Sequence, residues 1–243
     1  MAGDDGKDPT GGAWRSAERE FGHALVPAWR RATRGEQRWP AAVTLLALIL
    51  LQVTLPEPLT LGPRWVLPGV QAAILVVLTV ANPRRIDRDA PTLRILGLLL
   101  IAVASLANAV SVVRLVAAIV GGGGTENAAA LLTSGGVIWT TNVLTFAVWY
   151  WELDRGGPAD RAHGVDPYPD FLFPQMSSPE LAPRDWEPRF ADYLYVSFTN
   201  ATAFSPTDTL PLSRWAKFAM MLQSAISLAT AALVVARAIN VLG

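Results

Sequence analysis

Five apolar runs, each nearly free of charge, alternate with short clusters of Arg, Asp and Glu along the chain. No other feature limits the fold so strongly. A bilayer core of about 30 Å takes about 20 apolar residues per helix, and irregular backbone is tolerated at that depth only inside protein or beside a water-filled cavity. Composition agrees: the 243 residues are 51% hydrophobic and 16% charged, against roughly 25% charged in soluble domains. The expected fold is an all-α integral membrane protein. It has about five transmembrane helices and a short re-entrant segment before the last.

Residues 1–38 read as a Gly- and Asp-rich disordered tail followed by an amphipathic interfacial helix, in which Trp14, Phe21, Leu25 and Trp29 recur among arginines. Mixed charges and the lack of a cleavage pattern argue against a secretory signal, so the first span is expected to be retained. Residues 39–151 hold four spans, at about 40–55, 65–82, 95–120 and 128–151. Residues 152–191 are a Pro-rich, acidic extramembrane loop in which Phe171, Leu172, Phe173 and Trp186 are apolar without periodicity. Residues 192–243 form the re-entrant helix and the final span. Arg38-Trp39, Arg64-Trp65 and Arg214-Trp215 open three of the spans. They read as depth markers at the headgroup boundary.

The stretch from Tyr193 to Trp215 is the least ordinary. Its apolar part is about a dozen residues, roughly 18 Å of helix, enough to enter a bilayer and too little to cross it. The backbone breaks at Ser205-Pro206, carries Asp208, and breaks again at Pro211 before the last apolar run. Thr199, Thr202, Ser205, Pro206, Thr207 and Asp208 are therefore the candidate pore-like loop. Further polar residues fall within the spans. Arg114 reads first as a snorkelling charge and otherwise as a counter-charge for Asp208 or Glu126. Asn142, Ser224, Ser227 and Thr230 read first as a helix-packing face and otherwise as a pore lining.

Enzyme constellations do not appear in the sequence. The chain has no Cys and two His, without hydrolase, phosphate-loop or metal-ligand spacing. No enzyme activity, cofactor or metal is expected. A net charge of zero and no basic domain make nucleic acid an unlikely partner class. Arg30, Arg31, Arg34 and Arg38 precede the first span, and Arg84, Arg85, Arg88 and Arg94 lie in the second loop. The positive-inside rule then puts the N-terminus, the second loop and the 152–191 loop on the cytoplasmic side of a plasma membrane.

Ser197, Thr202, Asp208, Pro211 and Ser213 fall where two-span potassium-type channels place their pore motif, and a long apolar helix follows. The region resembles that pore module. Ala203, Ser205, Pro206 and Thr207 depart from it, so a filter of Gly-Tyr-Gly carbonyls is not expected. The whole layout, with Asp170-Phe171, Pro174, Tyr195, Phe198, Thr202, Asp208 and Asn240, resembles a family of uncharacterised bacterial polytopic membrane proteins. The resemblance to the pore module implies a channel-like protein conducting a monovalent cation through a non-standard loop, as a cyclic homo-oligomer; the second family has no established activity to carry over. The alternative is a non-conducting scaffold that docks a partner through residues 152–191.

Overall fold

The computed structural model describes residues 27–81, 91–121, 127–202 and 208–242. Most of the described chain is helical. The helices are α1 (Trp39–Thr54), α2 (Val66–Ala81), α3 (Pro91–Val120), α4 (Ala128–Leu153), α5 (Pro158–His163), α6 (Pro174–Ser177), α7 (Phe190–Thr202) and α8 (Arg214–Leu242). Two short strands, β1 (Phe171–Leu172) and β2 (Leu210–Pro211), pair antiparallel, Phe171 opposite Pro211.

Three helices, α3, α4 and α8, are long and apolar enough to cross a membrane. The other two apolar helices, α1 and α2, have 16 residues each, roughly 24 Å of rise. Apolar side chains dominate the outward faces of these five helices: Val80, Leu106, Val113, Phe218, Leu222 and Ile239 are all exposed, a surface suited to lipid rather than water. Local chemistry sets several ends. Asn127 caps α4 by accepting from the backbone N–H of Ala129 and Ala130. Pro40 and Pro158 sit in first turns, where a missing N–H costs nothing.

α4 is the hub, packed most extensively on α8 and α7, then on α3 and α1. Two apolar cores stack along it. One, at the end where α4 stops, joins Leu45, Leu78, Ile101, Val148, Trp151 and Tyr193. The other, where α4 starts, joins Leu55, Leu115, Leu131, Ile138 and Val234. At that second end Arg114 donates to the carbonyl oxygens of Thr60 and Pro58, in the α1–α2 connection. Ser111 donates to Leu59 O at 2.8 Å.

Residues 152–191 fold over the first end of the bundle. Arg155, Gly156 and Gly157 all have positive φ, which turns the chain back sharply as α4 stops. At Gly157 a Cβ would lie 2.8 Å from Glu152 O, so only glycine fits there. The described part of the N-terminal segment docks on the same surface: Thr33 N donates to Ala162 O at 2.8 Å, and Arg155 donates to Trp29 O. Residues 27–38 thus form a 3-10 turn and extended chain packed on protein. The expected helix around Trp14, Phe21 and Leu25 lies outside the described residues.

Candidate functional site

α7 is the element that fits no ordinary span. Both its approach and the chain's return are fixed at the end where α4 stops. Phe190 N, the first residue of α7, donates to Glu36 Oε1 at 2.6 Å, and Trp151 Nε1 donates to Glu36 Oε2 at 2.6 Å. Beyond the turn, β2 pairs with β1, and Leu212 N donates to Asp170 O at 2.7 Å. Between these anchors α7 runs alongside α4 and α8. Tyr193 meets Asp154, and one turn on Ser197 Oγ donates to Val143 O at 2.6 Å. Val143 lies ten residues, about 15 Å, before the end of α4 at Leu153.

The far half of α7 is held by a buried polar cluster. Gln223 of α8, fully buried, donates from Nε2 to Ser197 O at 2.9 Å and Ser197 Oγ at 2.7 Å. Its Oε1 accepts from Tyr150 OH at 2.6 Å and Asn200 Nδ2 at 2.8 Å. One amide therefore uses both donors and its acceptor to join α4, α7 and α8. Asn142 Nδ2 donates to Ser227 Oγ at 2.9 Å and Gln223 O at 3.2 Å. Ser224 Oγ donates to Asn200 Oδ1 at 3.0 Å. Away from water every such group needs a partner. The cluster fixes the depth and rotation of α7, with Asn142 Oδ1 its one member atom that lacks a partner among the described residues.

A second polar group ties the return of the chain to the folded loop. Asp154, with no exposed surface, accepts from Tyr193 OH at 2.5 Å and from the N–H groups of Asp170 at 2.8 Å and Phe171 at 3.3 Å. Asp170 accepts from Arg155 N at 2.9 Å and Trp215 Nε1 at 2.8 Å. Arg161 Nη1 donates to Trp151 O at 2.6 Å and Asp154 O at 2.8 Å. Phe171 lies among Tyr150, Tyr193 and Trp215, with ring centroids 5.0 to 6.3 Å away. Burial raises the Glu36 carboxyl above its ordinary pKa, outweighing the hydrogen bonds from Phe190 and Trp151 and the charges of Arg161 and Arg189.

The candidate residues read from the sequence do not form one site. Asn142, Ser224 and Ser227 come together in the α4–α7–α8 cluster. Thr230 is buried on α8, with no protein partner for its hydroxyl among the described residues. Thr199 and Thr202 donate to carbonyls of their own helix, Tyr195 O and Thr199 O. Asp208, the first described residue after Thr202, is exposed. Ser205, Pro206 and Thr207 lie outside the described residues. Arg114 stands apart, engaged with the α1–α2 connection at the opposite end.

Sequence reasoning passed over Gln223 and Asn200, and gave Trp215 only a depth-marking role. Its bond to Asp170 adds a second. A lone Gln among Ala, Ser and Leu gives no periodic signal. The loop carried a different signal: Phe171 and Phe173, apolar without periodicity, pack onto Tyr193.

No protein-family model, curated protein or solved structure matches the chain.

Proposed function

We propose that the protein is a channel-like, multi-pass membrane protein in which α7 is a re-entrant, pore-type helix. One observation carries this reading. The segment from Phe190 to Leu212 is anchored at both ends to the surface where α4 stops, while its middle is bonded deep between α4 and α8 at Val143 and Gln223. A chain that enters and leaves on one face, around a 13-residue helix, positions its turn inside the bilayer. α4, α7 and α8 then stand as outer, pore and inner helices, as the resemblance to potassium-type pore modules implies.

Within one chain the α4–α7–α8 interface is filled by the Gln223 cluster. The passage therefore forms between copies, which requires a ring. Asp208, exposed, gives that passage its preference for monovalent cations. The Arg-rich flanks assign the entry face to the cytoplasm of a bacterial cell. Flux in liposomes tests this: Asp208→Asn abolishes or reverses cation over anion preference, and unchanged flux removes Asp208 from the mechanism.

A second reading, a non-conducting scaffold, is favoured by the exposed apolar residues Val165, Tyr168 and Leu181 on the folded 152–191 face. Loss of a specific partner on replacing these three with Ser, with no ion flux from the intact protein, would select it.

A further inference from the structure

At the end where α4 stops, a cavity lies between α1, α2, α3 and α4. It measures about 90 Å³, and one water needs only about 15 Å³. Leu45, Leu78, Ile101 and Val148 form an apolar wall, and two basic side chains, Arg38 and Arg94, face two acidic ones, Glu152 and Asp160, in the rest of the lining. Arg94 Nη1 lies 3.5 Å from Asp160 Oδ2 with both side chains partly exposed, a contact weak enough to exchange for another partner. Glu152 shares this lining with Arg38 and Arg94. Its Oε1 lies 3.9 Å from the point where a Cβ on Gly97 would stand. A side chain longer than a methyl at Gly97 would compete with Glu152 for this part of the cavity.

An apolar groove adjoins the cavity and shares Arg38 and Ala42 with it. It measures about 410 Å³ and runs between α1 and α2 past Val43, Leu46, Leu75, Val76 and Val80. Trp39, at its end, is exposed, as an indole at a headgroup boundary is. A polar chamber of mixed charge opening into an apolar trough has the shape and chemistry of a phospholipid.

We infer that the cavity and groove bind one phospholipid with a zwitterionic phosphoethanolamine headgroup. Arg38 and Arg94 take the phosphate, which suits paired guanidinium donors. Glu152 and Asp160 take the ammonium, whose three N–H groups need acceptors. The groove takes one acyl chain. A headgroup with net negative charge would meet two carboxylates, and a trimethylammonium has no N–H to give them. This site does not depend on the conduction reading.

The test uses delipidated full-length protein in detergent, titrated with dihexanoyl phosphatidylethanolamine, phosphatidylcholine or phosphatidylglycerol. The shift in thermal unfolding midpoint reports binding. The ethanolamine lipid binds at least about tenfold more tightly than the other two, and Arg38→Gln or Arg94→Gln removes about that factor. Glu152→Gln reduces the preference over phosphatidylglycerol. Gly97→Leu fills the cavity with every charge intact and abolishes binding, so the test stands even where an arginine variant fails to fold. Equal shifts from all three lipids, preference for phosphatidylglycerol, or unchanged binding in Gly97→Leu would each overturn the site.

Discussion

Gln223 on α8 donates two hydrogen bonds into α7, to the carbonyl oxygen of Ser197 at 2.9 Å and to its hydroxyl at 2.7 Å. The same side chain accepts from Tyr150 on α4. Three helices thus share one amide, at a depth where water offers no substitute partner. Interhelical hydrogen bonds in membranes average well under 1 kcal/mol each, with the strongest near 1.7. Several converge here. Gln223→Leu is therefore expected to lower stability by about 2 kcal/mol, measured by denaturant unfolding in mixed micelles. A variant as stable as wild type would show that α7 is held by apolar packing alone.

The link between the loop and the returning chain rests on Asp154. Its carboxylate accepts from Tyr193 and two backbone N–H groups. Asn at this position keeps one acceptor but turns an N–H₂ toward donors. Asp154→Asn should cost about 2–3 kcal/mol and expose residues 158–189 to limited proteolysis, while the apolar helices stay protected. Uniform cleavage of loop and helices, or no change in cleavage, would argue against a latch at Asp154.

Glu36 gives a pH dependence with a definite sign. Burial raises its folded pKa above the ordinary 4.5, so the folded protein holds this proton where the unfolded chain has released it. Its contribution to stability is greatest in acid and declines as pH rises from about 4.5 through the folded value. Wild type should therefore gain stability relative to Glu36→Gln as pH falls from 7 to 5. Midpoints measured at both pH values give the difference. A constant offset would mean that Glu36 titrates normally.

Arg114 separates the two meanings of an intramembrane arginine. Its guanidinium donates to Thr60 and Pro58 carbonyls in the α1–α2 connection, away from Asp208. Arg114→Gln should loosen that connection at a cost of about 1 kcal/mol and leave cation preference unaltered in liposomes. A change in preference would restore the counter-charge role.

Much of the helical layout could be read from composition. The runs at 40–55, 65–82, 95–120 and 128–151 became α1 to α4 with small shifts at their ends, because uncharged length is a local property. Three of the five apolar helices also meet the length needed to cross a bilayer. The segment expected as an extramembrane loop proved harder to read. Its order comes from pairs distant in sequence, Asp170 with Trp215 and Asp154 with Tyr193, which no periodicity encodes. Asn142, Ser224 and Ser227 were visible as polar residues in apolar helices. Gln223, the residue that joins them, looked like one more polar residue because its role depends on how α7 is inserted. The turn at 205–207, most prominent in the sequence, lies outside the described residues, so Thr202 and Asp208 are its nearest markers.

The account's central claim is that residues 190–213 dip into the membrane and return on the face that carries residues 152–191, with Asp208 lining a cation path. The chain has no cysteine, which allows a direct measurement. Asp208→Cys and Asp160→Cys variants are reconstituted in oriented liposomes and treated with a cationic, membrane-impermeant thiol reagent while cation flux is recorded. Both should label from the same side, and flux should fall on labelling of residue 208 but not of residue 160. Labelling from opposite sides, or flux indifferent to a cation fixed at 208, would contradict it.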